Sequence, residues 1–370
     1  MTVWRLSRPL VDISARRFGH VQPPDSHMLL YAALGAVVLF FCVTTSPQAV
    51  ARLLLHLAVW LPYHCGRHVA SFLAPSFFWK SVQGEVVVLT GGAGGIGKLI
   101  ATKFAAAGAT LVLIDKSAEL LDEARKAVEA AARRAGSTAA VHAICVDLSN
   151  REATYAAMAQ AAEAAGPCTI LVNNAGIVTG KKLLDGSDSL QELTMAVNAT
   201  AHFWTVKATL PQMMAADHGH IVTIASSAGL SGTPGLADYC ASKAAAVYFD
   251  ESIRLEMRKL GKRGVKTTCV CPFFIKTGMF EGVQTRWPKL LPLLEPEYAA
   301  SKIVSAVRCD QPMLIMPLVV HLAPLLKGIF PPAITDYCLE WFGVLDAMDE
   351  FRGRAAPPPP YPVGAKGKAA

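Results

Sequence analysis

The feature that most constrains this chain is a short β-branched run that passes directly into a cluster of glycines and then into a helical pattern. Residues 85–89 (Glu-Val-Val-Val-Leu) lead into Thr90-Gly91-Gly92-Ala93-Gly94-Gly95-Ile96-Gly97, and KLIATKFAAAG follows with helical periodicity. Strand, glycine loop and helix in that order is the context a dinucleotide site requires. The glycines let the backbone approach a pyrophosphate, and the helix N-terminus supplies free N–H groups and the positive end of its dipole. Taken alone, the loop is equally compatible with a simple turn. A second strand, residues 110–114, ends in Asp115, 18 residues past Gly97. A carboxylate there accepts hydrogen bonds from an adenosine ribose and repels a 2′-phosphate, which favours NAD over NADP. The competing role for Asp115 is to cap the helix predicted over 117–132.

The alternation continues. Strand 140–146 precedes Asp147, strand 169–172 precedes Asn173-Asn174-Ala175-Gly176, strand 220–225 precedes Ser226-Ser227, and strand 265–270 ends at Cys271-Pro272. Repeated βα units predict an α/β fold, a Rossmann-type doubly wound parallel sheet with helices on both faces. Ligands of such sheets bind at the carboxyl ends of the strands, where these polar and glycine residues fall. Tyr239 and Lys243 stand four apart in a helical run, on one face. A free tyrosine titrates near pH ~10, too high for a base at neutral pH, and a neighbouring ammonium favours the phenolate.

Composition enters where the core pattern stops. The 370 residues are 52% hydrophobic and 17% charged, against about 25% charged in ordinary soluble domains, so disorder is excluded. The surplus lies in segments. Residues 28–45 contain no charge and would span about 27 Å as a helix, close to a bilayer core. They are read as an uncleaved membrane anchor, in competition with a buried core helix and a cleaved signal peptide. The run lacks a polar stripe and is longer and later than a signal peptide's apolar region. Residues 49–61 carry Arg52 and His56 and suit an interfacial helix. Arginines precede the anchor, and Arg52, Arg67 and Lys80 follow it, which a hairpin entering and leaving on one side would reconcile. Residues 287–334 are rich in Leu, Pro, Ile and Met and are read as a lid over an apolar substrate cleft, a membrane-contacting segment, or both. The proline-rich end is read as a disordered tail. The organisation expected is therefore 1–82 anchor and interfacial segment, 83–280 dinucleotide-binding catalytic domain, 281–352 apolar lid, and 353–370 tail.

Nine cysteines form no CxxC pair, so reduced, cytosol-facing thiols are expected. Cys269 and Cys271 alternate along a strand and should face one side of it. His64, Cys65 and His68 lack a fourth ligand, and no metal is expected. The net charge of +7 resides partly in basic residues over 254–266, without interleaved aromatics, so no nucleic-acid partner is expected. The sequon Asn198-Ala199-Thr200 suits a cytosol-facing or inaccessible site.

Together these motifs resemble the short-chain dehydrogenase/reductase family. Its TGxxxGxG pattern stands at 90–97, its NNAG at 173–176, its asparagine at Asn198, and its serine at Ser226, 13 residues before the YxxxK of Tyr239 and Lys243. The resemblance implies that Tyr239 is the general acid/base and that Ser226 polarises the substrate oxygen. Lys243 would lower the tyrosine pKa and hold the nicotinamide ribose, while Asn198 would order a relay water. It also implies a cofactor site of Thr90, Gly91, Gly95, Ile96, Gly97, Asp115, Asp147 at the adenine, Asn174, Tyr239, Lys243, and Thr277 at the carboxamide. Where many members carry Pro-Gly, this chain carries Pro272-Phe273.

More narrowly, His202-Phe203-Trp204-Thr205, His218-Gly219-His220, Thr277-Gly278-Met279-Phe280 and Asp310-Gln311-Pro312-Met313 are similar to the membrane-bound retinol dehydrogenases. That similarity implies interconversion of all-trans-retinol and all-trans-retinal at the endoplasmic reticulum membrane or a lipid droplet, by a homo- or hetero-oligomer or a single chain. A related retinal reductase uses NADPH. Asp115 departs from the basic residue expected there, but Lys98 and Lys116 keep NADP open. The same motifs are compatible with a 17-beta-hydroxysteroid-type dehydrogenase. A non-catalytic lipid-droplet scaffold is the competing function of another class, and the intact Asn198, Ser226, Tyr239 and Lys243 oppose it.

Overall fold

The computed structural model describes residues 79–353 and a few isolated positions between 48 and 66. The chain forms two compact units, Met1–Phe72 and Leu73–Ala370, and the sheet belongs to the second. The expected anchor at 28–45, nearly all of 49–61, the His64, Cys65 and His68 group and the proline-rich tail lie outside the described residues. Among the described residues no helix is long and apolar enough to cross a membrane.

Seven parallel strands run β1 Val86–Thr90, β2 Thr110–Asp115, β3 Val141–Cys145, β4 Ile170–Asn173, β5 Gly219–Ile224, β6 Val265–Pro272 and β7 Met313–Met316, in the spatial order β3-β2-β1-β4-β5-β6-β7. Central strands made of Val, Leu and Ile are buried on both faces, as parallel sheets require. The two-residue period sorts β1 between two cores: Val87 and Leu89 join one apolar cluster and Val88 the other. On the first face lie α1 Gly95–Ala106, α2 Ala118–Arg134 and α7 Pro296–Arg308, which bury Phe104, Leu121 and Ile303. On the second lie α3 Arg151–Ala165, α5 Ala201–Ala216 and α6 Ala237–Lys259, which bury Met158, Val206 and Met257. A shorter helix, α4 Asp188–Met195, leads through a π-helical turn, Ala196–Thr200, into α5. The winding reverses between β1 and β4, which opens a crevice at their carboxyl ends.

Side-chain caps end several helices cleanly. Ser117 caps α2 by accepting from Leu120 N, and Asn150 caps α3 by accepting from Ala153 N at 2.8 Å. Asp115 is thereby freed from the capping role. At the opposite end of the strands, Lys80 Nζ donates to Asp310 Oδ1 at 2.6 Å and lies 2.9 Å from Nδ1 of the buried His220. Arg308 stacks 4.1 Å over the Trp79 ring, so the incoming segment is clasped to the end of α7.

The sheet continues past residue 280. Met313–Met316, expected as part of the lid or a membrane-contacting segment, is instead the seventh strand, paired with β6 from Cys269↔Met313 to Pro272↔Met316. A four-residue apolar run has no periodicity of its own. It becomes a strand because α7 crosses over the sheet, seats Ile303 and Val307 in the core and delivers the chain beside β6. The rest of the apolar region forms a turn at Leu318–His321 and two short helices, α8 Leu322–Ile329 and α9 Pro332–Trp341. Cys269 and Cys271 lie on one face of β6, buried, with Sγ atoms 3.8 Å apart.

One buried acid sets a pH dependence. Asp250 on α6 is 1% exposed beside Thr223 and Thr267, and burial pushes its carboxyl up to about 6. A folded-state value above the unfolded one of about 3.9 means that stability falls as pH rises between those values and stays lowered above them. Asp250→Asn is expected to stabilise the fold at pH 8 by on the order of 1–3 kcal/mol and to flatten that fall. Thermal melts of both proteins from pH 4 to 8 check this; an unchanged pH slope would refute it.

Candidate active site

The glycine loop is shaped by two close approaches. A side chain at Gly97 would collide with Gly91 O and lie 2.7 Å from Asn174 Nδ2, so only glycine lets α1 abut the loop. Gly91 takes φ 65° against Ala175, in the left-handed region. Thr90 Oγ1 accepts from Asn174 N at 2.9 Å and Ala175 N at 3.0 Å, while Asn174 Nδ2 donates to Thr90 O and Gly91 O at 3.0 Å each. Thr90 and Asn174 therefore tie the end of β1 to the end of β4, and Gly97 lets α1 abut that junction. The space around Gly94 is empty to 4 Å. Gly94 starts α1 without a side-chain cap, and no acid occupies the first turn, so the helix offers N–H groups and a positive dipole end to an anion. Asp115 is pinned at the rim: its Oδ2 accepts from Ala93 N at 3.0 Å and its Oδ1 from Lys116 N at 2.7 Å.

Beside the loop lies a cleft of about 850 Å³, counting its open mouth, lined by Gly91, Gly95, Ile96, Asp115, Asn174 and Thr277 together with Ser226, Tyr239 and Lys243. A second slot, sharing Gly91 and Asp115 with it, is walled by Val146, Asp147, Leu148 and Val197. The shape fits a dinucleotide: an uncapped helix for phosphates, a carboxylate at the turn, and a largely apolar slot for a flat base.

Ser226 follows β5, and its Oγ accepts from Ala228 N at 3.1 Å. Tyr239 and Lys243 come from the first turns of α6. Lys243 Nζ donates to Ile224 O at 2.8 Å and lies 5.6 Å from the Tyr239 ring centroid. Burial pushes the Tyr239 hydroxyl above its ordinary range, opposed by a hydrogen bond with Ser226, and pushes Lys243 down to about 8. Asn198 sits behind the cleft in the π-helical turn. Its Oδ1 accepts from Ile177 N at 2.8 Å, and its Nδ2 donates to Ile177 O at 2.9 Å and to Ser242 Oγ at 3.0 Å. It is fully buried, which closes the sequon to glycosylation in the folded protein.

The fold thus brings Ser226, Tyr239 and Lys243 into one cleft with the loop glycines, Asp115 and Thr277. Asp147 lies in the adjoining slot, and Thr90, Gly97 and Asn198 support the site from behind. Phe274 carried no signal in the sequence, and Phe273, Met279 and Phe280, although they stand in quoted motifs, were not expected as parts of the cleft wall. The Pro272-Phe273 departure was the available signal. Next to this cleft is an apolar cavity of about 1010 Å³, counting its open mouth, whose walls include Leu291, Val320, Leu326, Cys338, Leu339 and Phe342.

A doubly wound sheet with a glycine loop at its switch point and a serine, tyrosine and lysine at the strand ends defines an NAD(P)-dependent oxidoreductase. Residues 85–287 match the short chain dehydrogenase family, and the chain belongs to it. It is similar to epidermal retinol dehydrogenase 2 of Homo sapiens, at 50% identity over 272 residues covering 74% of this chain and 86% of that one. Retinol dehydrogenase 10-B of Danio rerio is 42% identical over 268 residues, 68% of this chain and 80% of that one. Among solved structures, a short chain dehydrogenase/reductase from Burkholderia phymatum in complex with NAD matches with a TM-score of 0.60 and 26% identity, over 67% of this chain and 94% of that one. A metagenomic short-chain oxidoreductase in complex with NADP matches with a TM-score of 0.53 and 28% identity, over 64% of this chain and 98% of that one.

Proposed function

We propose that this enzyme interconverts a hydrophobic alcohol and its carbonyl, all-trans-retinol and all-trans-retinal foremost, with NAD as the favoured cofactor. The observation that carries the reading is the apolar cavity, which reaches Ser226 where the cofactor cleft also reaches it. A long apolar substrate lying in that cavity puts its oxygen at the serine and the tyrosine. The names of the relatives, two of them retinol dehydrogenases, support the same class.

In this reading Gly91, Gly95 and Ile96 hold the pyrophosphate, Asp115 the adenosine ribose, Asp147 the adenine side and Thr277 the carboxamide. The bound nicotinamide supplies the hydride acceptor or donor. Ser226 Oγ holds the substrate oxygen, and Tyr239 takes its proton on oxidation or returns it on reduction. Lys243 anchors the nicotinamide ribose and keeps a positive charge beside Tyr239. Asn198 holds the Ile177 backbone and orders the relay water. Asp115 at the rim favours NAD; Lys116, which walls the same slot, supports an NADPH-dependent retinal reductase as the second reading.

The membrane or lipid-droplet surface belongs to the same proposal. Leu325, Ile329, Ile334, Tyr337 and Trp341 on α8 and α9 are all between 45% and 68% exposed, around the cavity that would receive a lipid-dissolved substrate. The charge-free run at 28–45 suits an anchor of a cytosol-facing enzyme at the endoplasmic reticulum. The test is turnover in membranes from cells expressing the full chain, given all-trans-retinol with NAD or all-trans-retinal with NADPH, the products separated by chromatography. Retinal formed with NAD at the higher rate is the expected result. A faster reaction with NADPH would favour the reductase, and no Tyr239-dependent turnover of either would overturn the reading.

A further inference from the structure

The cofactor cleft and the apolar cavity have three lining residues in common: Ser226, Phe273 and Phe274. A substrate that lies in the cavity and reaches into the cofactor cleft at Ser226 meets these two rings where the spaces join. They belong to a continuous edge-to-face run. Phe273 and Phe274 have centroids 4.7 Å apart at 66°, Phe274 and Phe280 5.0 Å at 67°, and Phe280 and Tyr239 5.7 Å at 82°. The run therefore extends from the junction of the two cavities to the tyrosine itself.

A fifth ring backs it from far along the chain. Phe351, partly buried, lies 6.5 Å from Phe280 and packs against the buried cluster that holds Tyr239 and Met348. Two features hold it there. Arg352 N donates to Glu281 O at 2.9 Å, and Gly180 lacks the side chain that would overlap the Phe351 ring. Phe280 thus has rings against it from Tyr239, Phe274 and Phe351, and the side it leaves open faces the cofactor cleft.

We propose that this aromatic collar, with Phe274 as its principal member, selects the carbon that reacts: a terminal carbinol or aldehyde carbon is admitted and a secondary carbinol within a ring is not. The inference rests on the proposed alcohol and carbonyl chemistry. A terminal carbon brings one carbon substituent past the rings, and a flat conjugated chain can lie against their faces. A ring carbinol brings two, and close-packed rings backed on the far side cannot part to receive the second without losing their contacts. Discrimination by shape of this kind is worth roughly 10- to 200-fold per misfitting carbon.

The experiment compares kcat/KM for all-trans-retinol and for 17β-estradiol, both with NAD, in membranes carrying the full chain. Wild type is expected to prefer retinol. Phe274→Ala is expected to raise the estradiol-to-retinol ratio at least about tenfold. Phe351→Ala, which lines neither cavity, is expected to raise it by a smaller factor. Phe274→Leu, which keeps apolar volume but not the ring, is read if the alanine variant fails to fold, with a rise of a few-fold expected. A ratio within about twofold of wild type in a folded Phe274 variant that still binds NADH overturns the collar. Wild type that turns over estradiol and not retinol overturns it too. Turnover of neither alcohol removes the substrate reading beneath it, a result recognisable because no variant is needed to see it.

Discussion

Replacing Tyr239 by Phe is expected to lower kcat/KM by about 10³-fold, within the range of a lost general acid/base. The substitution removes one oxygen from a residue that is 5% exposed and leaves its ring against Phe280 and beneath Lys243. The fold therefore has little reason to change. On the proposed reading, what is lost is the group that exchanges a proton with the substrate oxygen, beside a serine that is not itself a base at neutral pH. Initial rates, an NADH titration and a melting curve together check this. Wild-type-like melting and NADH binding with the rate gone is the expected combination, and retention of more than about a tenth of the activity would refute the role.

The second large effect is expected at Gly97. Alanine there meets Gly91 O and Asn174 Nδ2, and neither can retreat freely: the first is loop backbone, the second donates to Thr90 O and Gly91 O. Relief of the clash must either push α1 away from the loop or break the bonds that tie β1 to β4. Gly97→Ala is expected to cost about 1–3 kcal/mol of stability, typical of overpacking, and to weaken NADH binding by about 100-fold, because the end of α1 proposed to hold the phosphates moves with the loop. The same methyl at Gly94 meets nothing within 4 Å. Gly94→Ala should melt close to wild type, which makes it the control in calorimetry. Equal melting temperatures for the two variants would refute the steric account.

Much of the site was legible because it is local. The loop needs glycines at fixed offsets from a strand and a helix, and Tyr239 and Lys243 need only one helical turn between them. These are short-range rules that spacing expresses directly. Asp115 was open to two roles, ribose partner and helix cap, and the second went to a neighbour: Ser117 took the cap, while the Asp115 carboxylate accepts from Ala93 N and Lys116 N. Asn198 was placed in the site by resemblance alone. The fold shows how a residue outside the cleft still shapes it, through two bonds to Ile177 and one to Ser242.

The apolar region after residue 280 shows the limit of such reading. Hydrophobicity said that Met313–Met316 would be buried or would meet lipid, but not whether it would be strand or helix. The decision came from α7, whose burial against α1 carries the chain to the free edge of β6. The collar is a stronger case, since Phe351 reaches Phe280 across 71 positions (351 − 280) through a vacancy at Gly180 that nothing nearby in sequence announces.

The sequence by itself determined the α/β class, the glycine loop, the Tyr239 and Lys243 pair and the apolar bias of the region after residue 280, because each is expressed by local spacing or composition; Ser226 entered through the family resemblance. Only the tertiary structure decided the seventh strand, the meeting of the two cavities at Ser226, and the run of phenylalanines that ends against Tyr239. Those depend on packing between segments far apart in the chain, where many partners suit one apolar residue and only the assembled shape selects among them.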